Sequence, residues 1–232
     1  MSIVFNNIPV SRLSDDDMHN MYELFNRYFI YDYRSFAEDI HNKSIITLIC
    51  DNENDNLIGF SSYDKSIYDE FAILFSGSTV VSEQYRNERA LMEGFLSVCS
   101  DMIKAYSDRP VYWHLLSMGF RTYRFLPLFF NEYYPCRKGS YEMKGILDRV
   151  SYDRFGDLYD PATGIVSIPG GERLRPQYAE IPRNRLNDRH VRFFLEKNPD
   201  YRQGNELSCI AKISVNNMKS IPQKILKGFI YD

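Results

Sequence analysis

Between Ser44 and Tyr106 the sequence changes its hydrophobic period twice, and few folds satisfy both changes. SIITLICD (44–51) is a β-branched run, DNENDN a turn cluster and LIGFSSYD (57–64) a second apolar run, which together predict a β-hairpin. A third run, FAILFSGSTVV (71–81), follows the polar link KSIYDE, so three consecutive strands are expected as an antiparallel meander. The period then becomes helical across EQYRNERALMEGFLSVCSDMIKAYSDRP. There Leu91, Phe95, Val98, Cys99, Met102 and Tyr106 share one face, and Asp108-Arg109-Pro110 stops the helix. Thr79 to Leu91 is therefore predicted as a strand end, a tight loop and a helix start, with the loop N–H groups facing an open cleft.

The flanks fit one α/β domain. Upstream, a short strand is expected at Ile3 to Phe5. Ser14 with Asp17 three residues on forms a capping-box start for a helix whose apolar face is Met18, Met21, Tyr22, Phe25, Tyr28 and Phe29. SFAEDIHNK predicts a second, short helix. Downstream, VYWHLLSM (111–118) reads as a strand and FRTYRFLPLFFNEYY (120–134) as a helix that Pro127 kinks or begins. Cys136 to Pro182 reads as loop and irregular strand, RLNDRHVRFFLEKNP as a helix, NELSCIAKISV as a strand, and MKSIPQKILKGF as a last helix broken by Pro222. The expectation is a single domain over 1–232, with a core at about 8–135, a C-terminal elaboration at 136–232, and helices on both faces of a mixed central sheet.

Composition narrows the function classes. Residues of the hydrophobic set make up 44% of the 232-residue chain and charged residues 25%, with a net charge of −3, which is globular composition without a dominant polyanion-binding surface. The four cysteines are far apart, with no CxxC or His spacing for zinc, so a reducing compartment and no metal are expected. MSIVFNNIPV lacks a basic region followed by an apolar run, and no segment reaches the roughly 18 apolar residues of a membrane span, so the expected location is cytoplasmic. Six arginines, Arg173, Arg175, Arg183, Arg185, Arg189 and Arg192, form a patch suited to phosphates, a carboxylate substrate or an acidic carrier protein. No RNP-like or helix-turn-helix signature accompanies them, so nucleic acid is not an expected partner.

The order helix, helix, three strands, loop, helix, strand, helix over roughly 8–135 resembles the GNAT N-acyltransferase superfamily. In that family the strand before the loop leads into the pattern Q/R-x-x-G-x-G/A, whose N–H groups hold the pyrophosphate of coenzyme A at a helix N-terminus. Here the stretch is TVVSEQYRNERALMEGF, in which Tyr85-Arg86 stands at the family's frequent (E/Q)-Y-R. The two small positions fall on Arg89 and Leu91, or on Asn87 and Arg89, so the glycines are replaced. The resemblance implies an acyl donor held by Val80, Val81, Ser82, Arg86, Asn87, Glu88, Arg89 and Ala90, with N–H groups at Val80 to Ser82 polarising the thioester carbonyl. Acetyl-CoA, a longer acyl-CoA or an acyl carrier protein thioester would be the donor, the carrier docking at Arg173 to Arg192. An amine of a small molecule or peptide would be the acceptor. Tyr133 would protonate the leaving thiolate, with Tyr123 and Tyr134 on the same expected helix, and Glu70 would accept the amine's proton. His114 is either a structural residue or a neighbour of the slot. The alternative is a non-catalytic interaction or regulatory module of this fold that has lost donor binding.

Overall fold

The computed structural model describes residues 3–53, 56–86, 89–139 and 141–231. Strand β1 (Ile3–Pro9) leads to α1 (Asp15–Asn26), where Ser14 and Asp17 exchange the expected capping-box hydrogen bonds, Asp17 N–H to Ser14 Oγ at 3.1 Å and Ser14 N–H to Asp17 at 3.0 Å. A two-residue strand β2 (Phe29–Ile30) precedes α2 (Tyr33–His41), capped by Asp32. The meander follows as β3 (Ile45–Asp51), β4 (Asn56–Ile67) and β5 (Ala72–Val81); Asn54 and Asp55 of its first turn lie outside the described residues. Strand β4 takes up half of the polar link, because Lys65 to Ile67 pair with Ala72 to Leu74 of β5.

After β5 the chain makes a single 3-10 turn, Glu83–Tyr85, and enters α3 (Ala90–Ala105), then β6 (Val111–Ser117). The predicted strand, loop and helix start at 79–91 is present. The single helix expected over 120–134 is not. It divides into α4 (Phe120–Tyr123) and α5 (Phe125–Phe129), followed by extended chain that bridges Phe130 to Met218 and Tyr134 to Ile210. Pro127 has no N–H to offer the Tyr123 carbonyl and its ring crowds it, so the first helix ends there.

The region expected as loop contains α6 (Tyr141–Phe155), then β7 (Tyr159–Asp160), β8 (Ile165–Val166), β9 (Arg173–Leu174) and α7 (Pro176–Ala179). Met143, Ile146, Leu147 and Val150 give α6 its apolar face, packed on Ile73, Phe75, Tyr112 and Ile210. Helix α8 (Arg189–Lys197), capped by Asp188, strand β10 (Glu206–Ile213) and α9 (Ser220–Tyr231) complete the chain. Pro222 does not break α9, because it sits in the first turn, where N–H groups have no intrahelical partner.

One eight-stranded mixed sheet runs β1-β3-β4-β5-β6-β10-β8-β7, antiparallel except for the parallel pair β5 and β6. The segment expected as an elaboration thus supplies β10, which lies beside β6 inside the sheet. Helices α3 and α9 cover one face over Leu74, Trp113, Leu115 and Cys209. Helices α1, α2 and α6 cover the other. The antiparallel meander and the mixed sheet with helices on both faces are those expected from the sequence. No described helix is long and apolar enough to cross a membrane.

Candidate functional site

The site begins where β5 and β6 part. They pair from Ala72 with Val111 to Ser76 with Leu115 and no further; β5 continues along β4 to Val81, while β6 continues along β10, Ser117 opposite Leu207. A bulge in β5 between Ser76 and Thr79, opposite Ser62, turns that strand aside, as bulges do. Gly77 lies in the bulge, and a Cβ there would stand 2.6 Å from Lys43 Cε and from Ser62 Oγ. The parted strands leave a slot whose walls carry backbone groups without a neighbouring strand.

Register decides which groups those are. Ser82 N–H donates to Ile58 O at 2.8 Å, so Ile58 and Ser82 form a hydrogen-bonded pair. Antiparallel pairs alternate, which makes Phe60 and Val80 the next bonded pair and points the N–H groups of Val81 and Thr79 away from β4, toward the slot. Of the three residues expected to polarise a carbonyl, Val81 keeps that capacity. Val80 and Ser82 spend their N–H groups on the ladder.

The slot opens into a cavity of about 550 Å³ between the end of β5, the start of α3, and α4 and α5. Five arginines line it: Arg86, Arg89, Arg121, Arg124 and Arg185. Arg86 pairs with Glu83 at 3.4 Å and lies over the Tyr28 ring at 5.2 Å, and Arg124 pairs with Asp188 at 3.4 Å. Arg121 donates to Tyr178 O at 2.9 Å; burial, then the neighbouring Arg86, lower its pKa from the ordinary guanidinium value. Tyr28 fixes the loop, its phenol oxygen accepting from Glu83 N–H at 2.9 Å. Helix α3 starts at the wall with Arg89 at its N-cap and no side-chain cap, so first-turn N–H groups add to the positive field. A cavity bordered by five guanidiniums and an uncapped helix start favours a phosphorylated or carboxylated ligand.

A narrower recess of about 40 Å³ continues between the strands, with Phe95, Trp113, Phe125 and Phe129 as aromatic walls. Four of its polar side chains bond to one another: Trp113 Nε1 donates to Ser76 Oγ at 2.6 Å, and the Ser61 and Thr79 hydroxyls bond at 2.6 Å. Room for a few heavy atoms remains, about that of a short acyl group.

Of the expected donor-binding residues, Val80, Val81, Arg86, Arg89 and Ala90 line the cavity. Ser82 is in the adjoining backbone, and Asn87 and Glu88 lie outside the described residues. The expected catalytic pair is elsewhere. Glu70 precedes β5 at the far end of the sheet and pairs with Arg149 at 3.1 Å. Tyr133 is buried in extended chain with its hydroxyl 3.3 Å from His190 Nδ1, and burial raises its pKa to about 12. Tyr123 donates to Pro135 O at 2.8 Å, and Tyr134 bridges Ile210 through its backbone. Among the described residues none of these three tyrosines belongs to the cavity wall. His114 faces α6, its Nε2 3.0 Å from Ser208 Oγ; burial lowers its pKa to about 3, so it is a neutral packing residue. Of the six-arginine patch, Arg185 reaches the cavity, whereas Arg175 bonds to Asn26 and Arg189 to His190. Arg121 and Arg124 were missed as site residues, although their three-residue spacing on a helix start placed them on one face.

No protein-family model matches the chain, and no curated protein does. Solved structures are similar to it. Escherichia coli ElaA is 19% identical and matches 58% of this chain and 88% of its own at a TM-score of 0.39. The GNAT family N-acetyltransferase YhbS of Escherichia coli, solved in complex with CoA, is 12% identical, with coverages of 54% and 69% and a TM-score of 0.39. Arabidopsis thaliana NAA60, in complex with a bisubstrate analogue, is 17% identical, with coverages of 57% and 86% and a TM-score of 0.38.

Proposed function

We infer that the chain is a divergent GNAT-type N-acyltransferase that moves an acyl group from a phosphopantetheine thioester, as in acyl-CoA, to an amine. The observation that carries this reading is the parting of β5 from β6 beside a cavity with five arginines, with the Val81 N–H aimed into the gap. Arg86, Arg89, Arg121, Arg124 and Arg185 hold the donor's phosphates by side-chain forks, replacing the glycine loop that would hold them by backbone. The pantetheine arm occupies the slot, the thioester carbonyl accepts from Val81 N–H, and the short acyl group enters the aromatic recess. The amine nitrogen attacks the carbonyl carbon, the C–N bond forms as the C–S bond breaks, and the thiolate leaves as the thiol. The N–H gains strength as negative charge develops on the oxygen, so it favours the transition state over the bound thioester.

Thermal unfolding with acetyl-CoA tests the donor site: at 100 times the dissociation constant a ligand of the folded state adds about 2.7 kcal/mol. Stabilisation by acetyl-CoA is expected. No stabilisation by acetyl-CoA, octanoyl-CoA or acetyl-phosphopantetheine would overturn the reading. The second reading, a module that binds without turnover, is favoured by one observation: Tyr123, Tyr133 and Tyr134 are all absent from the cavity wall, the first two with their hydroxyls bonded elsewhere. Thiol release from acetyl-CoA in the presence of a panel of primary amines separates the two.

A further inference from the structure

A second cavity, of about 280 Å³, lies on the sheet face away from α3, between α6 and strands β4, β5 and β6. It shares no lining residue with the donor cavity or the aromatic recess. Ile73, Val150 and His114 form its buried part. Ser66, which faces Ile73 across the β4–β5 ladder, joins Tyr68, Asp153 and Arg154 nearer the solvent.

His114 carries the observation that points to a ligand. Its Nε2 is 3.0 Å from Ser208 Oγ and 3.4 Å from Ser151 Oγ, and those two hydroxyls bond each other at 2.8 Å. Its Nδ1 is buried and has no hydrogen-bond partner among the described residues. The rings of Phe75 and Phe155 stand edge-on to the imidazole at 5.1 and 6.2 Å, so it is not free to turn toward another protein group. Native interiors seldom leave a buried polar atom unpaired, because it has given up water and gained nothing in return.

The solvent side of the cavity carries both signs of charge. Arg154 lies over the Phe75 ring at 4.1 Å and donates through Nη2 to Asp64 at 2.8 Å and to Ser66 Oγ at 3.3 Å. Its Nε and Nη1 have no partner among the described residues. Asp153, the residue before it on α6, is exposed and forms no ion pair among the described residues. Burial, then Asp153, raise the pKa of Tyr68, so that phenol stays a donor beside the carboxylate. Arg149 stands over the Tyr68 ring at 4.9 Å but is engaged with Glu70 at 3.1 Å. A simple anion here would meet Asp153 and a simple cation would meet Arg154, whereas a zwitterion matches both. At about 30 Å³ per water the cavity has room for about nine small heavy atoms, the size of a short amino acid.

We propose that this cavity binds a free α-amino acid with a short hydrogen-bonding side chain, of the size of serine or asparagine. Its carboxylate meets Arg154, its ammonium meets Asp153, and its side chain meets His114 Nδ1. The neutral imidazole carries its proton on either nitrogen, so Nδ1 serves a side-chain donor or acceptor. Nδ1 lies beneath the cavity surface, so Arg154 turns its guanidinium toward the bound carboxylate to admit the side chain. The site does not depend on the acyltransfer reading.

The test follows the imidazole nitrogens by NMR in the full chain carrying 15N-labelled histidine. His114 is recognised as the imidazole that stays neutral at the lowest pH, since burial and then Arg154 lower its pKa to about 3. L-serine and L-asparagine should shift its Nδ1 resonance saturably. Serinamide, which lacks the carboxylate, N-acetylserine, which lacks the ammonium, and L-alanine, which lacks the side-chain group, should leave it in place. Asp153→Asn, at an exposed position, should weaken serine binding by about tenfold or more. Arg154→Gln should do the same, and because it also breaks the pair with Asp64 its unfolding midpoint is measured beside it. An imidazole indifferent to serine and asparagine would mean that water alone meets Nδ1, and would overturn the proposal. Equal responses to serine, serinamide and N-acetylserine, or a response undiminished in both variants, would overturn it as well. No acyl donor is present, so failure of acetyl-CoA to stabilise the chain counts against the acyltransfer reading alone.

Discussion

Replacing Arg121 by alanine should weaken acetyl-CoA binding by roughly 10- to 150-fold, and the structure sets that range. The guanidinium lines the cavity, is held by the Tyr178 carbonyl at 2.9 Å, and has no carboxylate partner among the described residues. A charge-assisted hydrogen bond to phosphate contributes about 1.5–3 kcal/mol, and each 1.4 kcal/mol is tenfold in affinity. The same change removes the bond to Tyr178, a loss of about 1 kcal/mol from folding, so stability must be measured beside affinity. Isothermal titration of acetyl-CoA into wild type, Arg121→Ala and Arg121→Lys at low and high salt reads the two effects apart. The lysine variant keeps the charge without the fork and should fall between the others, and added salt should narrow the differences. An Arg121→Ala variant that unfolds more readily yet binds acetyl-CoA as tightly as wild type would refute the reasoning, because Arg121 would then only support the α4 region.

Three further outcomes follow from the packing and the charges. Tyr133→Phe should leave turnover within about twofold of wild type, since its hydroxyl meets His190 outside the cavity; a loss in the 10²- to 10⁴-fold range of general acid catalysis would make it the acid after all. Gly94→Ala should destabilise the fold by about 1–3 kcal/mol in denaturant titrations, because a Cβ on α3 would stand 2.5 Å from Thr47 Cγ2 at the seam with β3. Glu172 has a folded pKa raised from 4.5 to about 7, so the stability it contributes is complete below about pH 4.5 and is lost as the pH rises through 7. Unfolding measured at pH 4.5 and pH 8 should show Glu172→Gln more stable than wild type at the higher pH and the difference shrinking at the lower.

The strand, loop and helix start at 79–91 was legible because β-branched runs give way to apolar residues at three- and four-residue spacing, and local periodicity of that strength survives in the fold. Helix α6 was obscured by Gly145 and by the polar residues around Met143, Ile146, Leu147 and Val150, whose spacing was nonetheless helical. Tyr133 was assigned a helical position, but α5 ends at Phe129 and the chain beyond it is extended, and with the helix went the reason to place Tyr133 at the slot. Glu70 stood at the correct strand but at its wrong end, a distinction that needs the direction of β6 relative to β5. The arginines divide in the same way: Arg86 and Arg89 belong to the readable loop, whereas Arg121, Arg124 and Arg185 converge on it from separate elements.

A crystal structure of the chain with acetyl-CoA tests the central claim most directly. The account predicts the donor's phosphates within hydrogen-bonding distance of Arg86, Arg121 or Arg124, the arm between β5 and β6, and the thioester oxygen about 3 Å from Val81 N. Acetyl-CoA bound away from this slot, or a slot left empty at saturating donor, would contradict it.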